Sequence, residues 1–115
     1  TKSIDGKNLS RYHKKPERLN LKPETLSLIR EGLMSAVSAP GGTANVLSSV
    51  GVSVAGKTGT AQAPPKQSHA WFSGFFPYKE PKFVMVVFLE NGGPGYNSCV
   101  IAKQIIEAMK AQGLI

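Results

Sequence analysis

Val54-Ala55-Gly56-Lys57-Thr58-Gly59-Thr60-Ala61-Gln62 lies at the middle of the 115-residue chain. A cation, two hydroxyls and two glycines stand where a core strand would alternate hydrophobic and polar residues. On a strand, Thr58 and Thr60 share one face, and Lys57 and Gly59 take the other. Glycine and lysine weaken such a segment as an interior strand and suit the edge of a sheet. An open edge offers unpaired N–H and C=O groups, so an extended peptide can add to it as a further strand. The two hydroxyls can bind both oxygens of a carboxylate, with the ammonium nearby supplying charge. Gly59 is expected to leave room for the close approach of another backbone. A hairpin strand with a snorkelling lysine accounts for Lys-Thr-Gly equally well, so the triplet alone decides nothing.

A second motif overlaps it. Gly51-Val52-Ser53-Val54-Ala55-Gly56-Lys57-Thr58 satisfies the phosphate-binding pattern G-x-x-x-x-G-K-[ST]. That loop needs a hydrophobic strand before it and a helix directly behind the lysine, whose N-terminus cradles the phosphates. Here the middle residues are themselves strand-like, and Gly59 to Pro65 cannot start a helix. The match is expected to be coincidental.

Outward from the motif, Pro23 suits the first position of a helix. Leu26, Ile29, Leu33 and Val37 give that helix one apolar stripe, and Pro40-Gly41-Gly42 stops it. Thr43 is placed to cap a second, short helix running through Val50. After the motif strand (52–62) and a break at 63–67, strands are expected at 69–76 and 82–90, with short links that favour antiparallel pairing. The third strand, apolar on both faces, is expected to be central and covered on each side. Asn91-Gly92-Gly93-Pro94-Gly95 turns into a last helix near 98–112. Its expected inner face is Ile101, Ile105, Ala108 and Met109, with Lys103, Glu107 and Lys110 outside and Gly113 ending it. Helices before and after a three-stranded meander make an α+β chain, an antiparallel sheet flanked by helices.

Composition narrows the function. Residues 1–22 carry seven cations against two carboxylates, a net +5 of the chain's +7. Only Tyr12 interleaves them and no nucleic-acid-binding motif accompanies the charge, so the segment reads as an extended basic connector and no nucleic-acid partner is expected. Ser3 to Lys7 has the look of a strand end with a turn at Asp5-Gly6. The longest apolar run, Phe83 to Leu89, is too short to cross a bilayer. Lone Cys99, with no basic neighbour in sequence, reads as a buried thiol rather than a nucleophile. His13, His69 and Cys99 have no metal-ligand spacing, and neither a metal nor a cofactor is expected. His69, at the start of a strand beside the motif, can face the cleft. Trp71, Phe72, Phe75 and Phe76 read as packing on the two faces of the sheet. Opening at Thr1 rather than Met is what a processed or excised piece would show.

The longer context settles the triplet. Lys57-Thr58-Gly59 is the third signature of the penicillin-recognising serine acyltransferases. Together with Gly42-Thr43-Ala44, His69-Ala70-Trp71-Phe72-Ser73-Gly74-Phe75-Phe76-Pro77 and Leu89-Glu90-Asn91-Gly92-Gly93-Pro94-Gly95, it resembles the C-terminal part of a class B penicillin-binding protein. The His-Ala-Trp-Phe and Glu-Asn-Gly-Gly runs look more like penicillin-binding protein 2, the elongation type, than its division-specific relative. The resemblance spans 23–112 and implies that residues 23–115 are one part of a transpeptidase domain whose upstream portion is missing. It implies the penicillin-binding/β-lactamase-like fold, with the motif strand at the active-site edge and the final helix on the far face. The implied activity is peptidoglycan D,D-transpeptidation: a serine attacks the D-Ala-D-Ala bond, D-Ala leaves, and an acceptor amine resolves the acyl-enzyme. Lys57 would support the proton network and the anionic substrate. Thr58 and Thr60 would bind the terminal carboxylate, the Thr60 N–H would form half of the oxyanion hole, and Gly59 would keep the edge open. The implied partners are the stem peptide, β-lactam antibiotics, a membrane glycosyltransferase and cell-shape scaffold proteins. The implied location is outside the cytoplasmic membrane, anchored by a missing N-terminal segment.

One departure is large. The family's Ser-x-x-Lys and Ser-x-Asn signatures do not occur in these 115 residues, so there is no nucleophile here and the piece alone is expected to be inactive. A β-lactam-hydrolysing or β-lactam-sensing relative of the class D type is the alternative, since these share Lys-Thr-Gly followed by a Trp-Phe strand. Thr60-Ala61-Gln62 and Glu90-Asn91-Gly92-Gly93 favour the transpeptidase. A non-enzymatic basic binding module is the third reading, and would show salt-dependent nucleic-acid binding.

Overall fold

The computed structural model describes residues 15–115; the expected turn at Asp5-Gly6 lies outside them. Residues 15–22 carry no helix or strand. Helix α1 (Pro23–Ser38) starts with proline in its first turn and ends as Ala39 becomes extended before Pro40. A 3₁₀ turn (Asn45–Ser49), strands β1 (Ala55–Ala63), β2 (Lys66–Phe76) and β3 (Phe83–Leu89), and helix α2 (Tyr96–Ala111) follow. The strands form one antiparallel sheet in the order β1-β2-β3. The expected break at 63–67 is a tight hairpin, with Ala63 paired to Lys66. Pro64 and Pro65, lacking N–H groups, sit at its tip where the ladder loses nothing.

Strand alternation sorts the sheet into two sides. Gly56, Thr58 and Thr60 of β1 lie opposite Gly74, Phe72 and Ala70 of β2, and Phe72, Phe76 and Val87 join Cys99, Ala102 and Ile106 of α2 in the core. The Phe72 ring fixes two glycines. A Cβ on Gly56 would lie 2.7 Å from that ring and 2.6 Å from the Ser73 carbonyl oxygen, and one on Gly74, on β2 with Phe72, would lie 2.7 Å from the same ring and 2.6 Å from the Ala55 carbonyl oxygen. Neither position admits a side chain while the ring stays in place.

Four expectations are corrected. Within the described residues β3 is an edge strand and β2 is central; Phe83, Met85 and Leu89 pack on the core while Val84 and Val86 are 81% and 59% exposed. The α1 stripe is buried only at its C-terminal end: Val37 enters the core, whereas Leu26 and Ile29 are each 48% exposed. On α2 the buried face is Ser98, Cys99, Ala102 and Ile106, while Ile101, Ile105 and Ala108 are exposed and Met109 packs at the margin. Two apolar stripes exist on that helix, and the one with small residues wins because Phe72 and Val87 already fill the space beneath it. Lys110 is exposed as expected, and its ammonium donates to the Val50 carbonyl at 3.0 Å. Thr43 caps nothing: Ala44 precedes the 3₁₀ turn without a side-chain cap, and the Asn45 amide instead ties down the Val37 and Ala39 carbonyls at the end of α1.

Gly56→Ala is expected to destabilise the fold by about 1–3 kcal/mol, as overpacking does, read from urea unfolding. Combined with Phe72→Ala, its cost should shrink without vanishing, because the ring is gone while the Ser73 carbonyl oxygen remains 2.6 Å from the added Cβ. Additive costs would show that the ring and the glycine are not in conflict. Burial raises the Cys99 thiol from 9.0 to about 11, an effect that Lys57 nearby opposes. The folded state therefore holds that proton more tightly than the unfolded chain, so this contribution to stability is intact below pH 9 and is lost as pH rises towards 11. Cys99 should resist a disulfide reagent at pH 8 and react once urea unfolds the chain; rapid reaction of the native protein would contradict its burial.

Candidate functional site

β1 lies at one edge of the sheet, with no strand on its outer side among the described residues. Lys57 therefore stands in a strand and not at the mouth of a helix, which removes the phosphate-loop reading. Its side chain starts on the side opposite Thr58, yet the ammonium curls back over the open edge. Lys57 Nζ donates to Thr58 Oγ1 at 3.3 Å, to the Thr58 carbonyl at 3.2 Å and to Thr43 Oγ1 at 3.4 Å. These are long contacts for hydrogen bonds, and no described carboxylate pairs with the ammonium. The charge is held in place and left available to an anion.

Thr43 joins the site without having been expected there. It comes from the connection after α1, fourteen positions before Lys57, and no local spacing announces a contact of that range. The sequence marked Thr43 as a helix cap and, within Gly42-Thr43-Ala44, as part of a resemblance, but not as a partner of Lys57.

Thr60 is held from the other direction. Its Oγ1 accepts a hydrogen bond from the Gly95 N–H at 2.9 Å, at the residue that precedes α2. The close approach of backbones occurs there too. A Cβ on Gly95 would lie 2.6 Å from the Gly59 carbonyl oxygen, whereas one on Gly59 would meet nothing nearer than the Trp71 Cβ at 3.4 Å. Within the chain, then, the backbone that comes close to Gly59 is that of Gly95, and it approaches from the face that a Gly59 side chain would not occupy.

The turn carrying Gly95 is pinned at several points. Asn91, at φ 51, donates its N–H to His69 Nδ1 at 2.9 Å, and the Gly93 N–H reaches the Ser68 carbonyl at 2.9 Å. Asn97 Nδ2 bonds the Gly92 carbonyl at 2.7 Å, and buried Ser98 Oγ bonds the Gly95 carbonyl at 2.6 Å. His69, half-buried with its ring edge-on to Phe88, is committed to this turn. Trp71 is 39% exposed and lies on Phe88 with ring centroids 4.2 Å apart, so Phe72 and Phe76 are core while Trp71 is half surface. Phe75 packs under the Arg30 guanidinium.

The edge thus offers one ammonium, two hydroxyls and a strand's free backbone groups side by side. That set can receive an extended peptide ending in a carboxylate. Among the described residues no group of three or more His, Cys, Asp or Glu could hold a metal ion, and no helix is long and apolar enough to cross a membrane.

Comparison with known proteins places the chain. The family described as penicillin binding protein transpeptidase domain matches residues 1–109. The peptidoglycan D,D-transpeptidase MrdA of Haemophilus influenzae is 29% identical over 126 aligned residues, covering 92% of this chain and 19% of that protein. The structure of the penicillin-binding protein PBP2 of Helicobacter pylori in complex with MreC superposes with a TM-score of 0.75 at 26% identity, covering 92% of this chain and 21% of that one. An imipenem acyl-enzyme of penicillin-binding protein A from Mycobacterium tuberculosis superposes with a TM-score of 0.55 at 27% identity over 90% of this chain and 24% of the other. The chain spans about a fifth of its MrdA relative. With the motif strand at a sheet edge, α2 packed behind it and the family match running over nearly every residue, the chain belongs to the penicillin-binding protein transpeptidase domain family.

Proposed function

We propose that this chain is the C-terminal part of a peptidoglycan D,D-transpeptidase of the MrdA type and supplies the wall of its active site that grips the donor peptide. The observation that carries the reading is the open edge of β1, where Lys57 Nζ lies 3.3 Å from Thr58 Oγ1 with Thr60 two residues on. In this reading the D-Ala-D-Ala end of a stem peptide lies along β1. The Thr58 and Thr60 hydroxyls bind its terminal carboxylate and the Lys57 ammonium supplies charge. The Thr60 N–H, aimed at the scissile carbonyl, stabilises the oxyanion; one such donor contributes about 3–4 kcal/mol in acyl transfer. The serine and its lysine base come from the upstream part of the longer protein. A β-lactam, with its carboxylate beside a strained amide, occupies the same edge and acylates the same serine.

The exposed apolar side of β3, from Val84 and Val86 to Phe88, and the uncovered Leu26 and Ile29 of α1 fit a longer domain that closes over this face. Basic residues 1–22 connect the two parts. By analogy with the relative solved with MreC, the parent works beside a cell-shape scaffold protein; the family resemblance alone adds a membrane glycosyltransferase and a place outside the cytoplasmic membrane with an N-terminal anchor.

Fluorescent penicillin tests the assignment. The full-length parent should be labelled covalently on an upstream serine, and this piece by itself should not; stable labelling of the isolated piece would place the nucleophile here and refute it. In the parent, Lys57→Ala should slow acylation by about a hundredfold or more. Its unfolding midpoint should hardly move, because the side chain is exposed. An unchanged acylation rate would remove Lys57 from the site.

A further inference from the structure

Thr60 Oγ1 has two lone pairs and one proton. The Gly95 N–H occupies a lone pair at 2.9 Å, so the Thr60 proton turns away from the turn and towards the exposed side of the strand. Gly95 immediately precedes the 16-residue helix α2, whose N-terminal end carries partial positive charge. Accepting a hydrogen bond from that end makes the Thr60 hydroxyl a stronger donor in turn. An oriented, polarised O–H at an open edge is suited to an anion and gains little from a neutral group.

What keeps Gly95 in place is the turn before it, and that turn is fastened to β2 by His69. Its Nδ1 accepts the Asn91 N–H at 2.9 Å, and the Gly93 N–H bonds the adjacent Ser68 carbonyl at 2.9 Å. The far end is closed by Asn97 on the Gly92 carbonyl and by buried Ser98 on the Gly95 carbonyl. Gly95 itself lies against the Gly59 backbone, with no room for a Cβ. A shift of the turn is therefore transmitted to the hydroxyl of Thr60.

We infer that His69 is a positioning residue for substrate recognition: through the Asn91–Gly95 turn it holds the Gly95 N–H on Thr60 Oγ1 and so aims the Thr60 proton at the substrate carboxylate. This rests on the transpeptidase reading above, and it gives His69 a role in carboxylate selectivity without contact to substrate. The acceptor at Nδ1 is what matters, not the imidazole. Asparagine places its Oδ1 close to where histidine places Nδ1 and can receive the same N–H.

The test compares acylation of the full-length parent by benzylpenicillin and by its methyl ester, which lacks the anionic carboxylate. His69→Ala should lower the second-order rate with the acid by about tenfold, the scale of one charge-assisted hydrogen bond, and leave the ester rate unchanged. His69→Asn should restore the acid rate. An equal loss with both compounds, or no loss with either, would overturn the inference while leaving the transpeptidase assignment intact. A parent that neither compound acylates would overturn that assignment and this inference with it.

Discussion

The Phe72 ring, wedged across Gly56 and Gly74 on the covered side of the sheet, is the constraint on which the rest depends. The ring is fully buried, and both glycines would collide with it if they carried a Cβ. Because side chains alternate along a strand, placing Phe72 inward fixes the side on which every residue of β1 stands. Thr58, directly opposite Phe72, must share its side, and Lys57 must start from the other. A slip of one residue would bury Lys57 against α2 without a partner, at a cost no surface contact offsets.

Two elements arriving from opposite ends of the sequence convert this register into a site. Thr43, after α1, meets the Lys57 ammonium; Gly95, before α2, meets the Thr60 hydroxyl. Each contact links a connection to the edge strand, and the helices that those connections join are seated in one shared core through Val37, Cys99, Ala102 and Ile106. The strand's backbone is thereby held rigidly while its polar tips stay at the surface. That division suits recognition of an extended anionic peptide, since the ordering of the site is completed before the ligand arrives.

Much of this was legible beforehand because it is written in local pattern. Pro23, the continuous apolar run from Phe83 to Leu89 and Gly113 each act within a few residues, and the helices and strands they mark are found. The edge position of β1 was readable from glycine and lysine in a strand. What could not be read was which of two apolar stripes a helix would bury. On α2 both Ile101-Ile105-Ala108 and Cys99-Ala102-Ile106 have helical spacing, and the choice depends on the volume left by Phe72 and Val87 on other elements. The place of β3 failed for a related reason: an apolar strand declares that both faces are fit for burial but not what lies beside it. Thr43, His69 and Gly95 carried no local signal for their contacts, which join residues 14, 22 and 35 positions apart.

The strength of the hold on each polar group follows a gradient that makes chemical sense. The turn before α2 is fastened through His69, Ser68, Asn97 and Ser98 by hydrogen bonds of 2.6 to 2.9 Å, and Gly95 reaches Thr60 at 2.9 Å. Lys57, by contrast, is held by contacts of 3.2 to 3.4 Å. A carboxylate-binding hydroxyl gains from a fixed direction, because hydrogen bonds weaken steeply off axis. An ammonium gains less from direction and more from being unpaired, since its attraction for an anion is Coulombic and a resident carboxylate would cancel it. In the proposed reading, tight geometry at Thr60 and loose geometry at Lys57 are two answers to one requirement, a binding edge that is shaped in advance and still charged when the substrate comes.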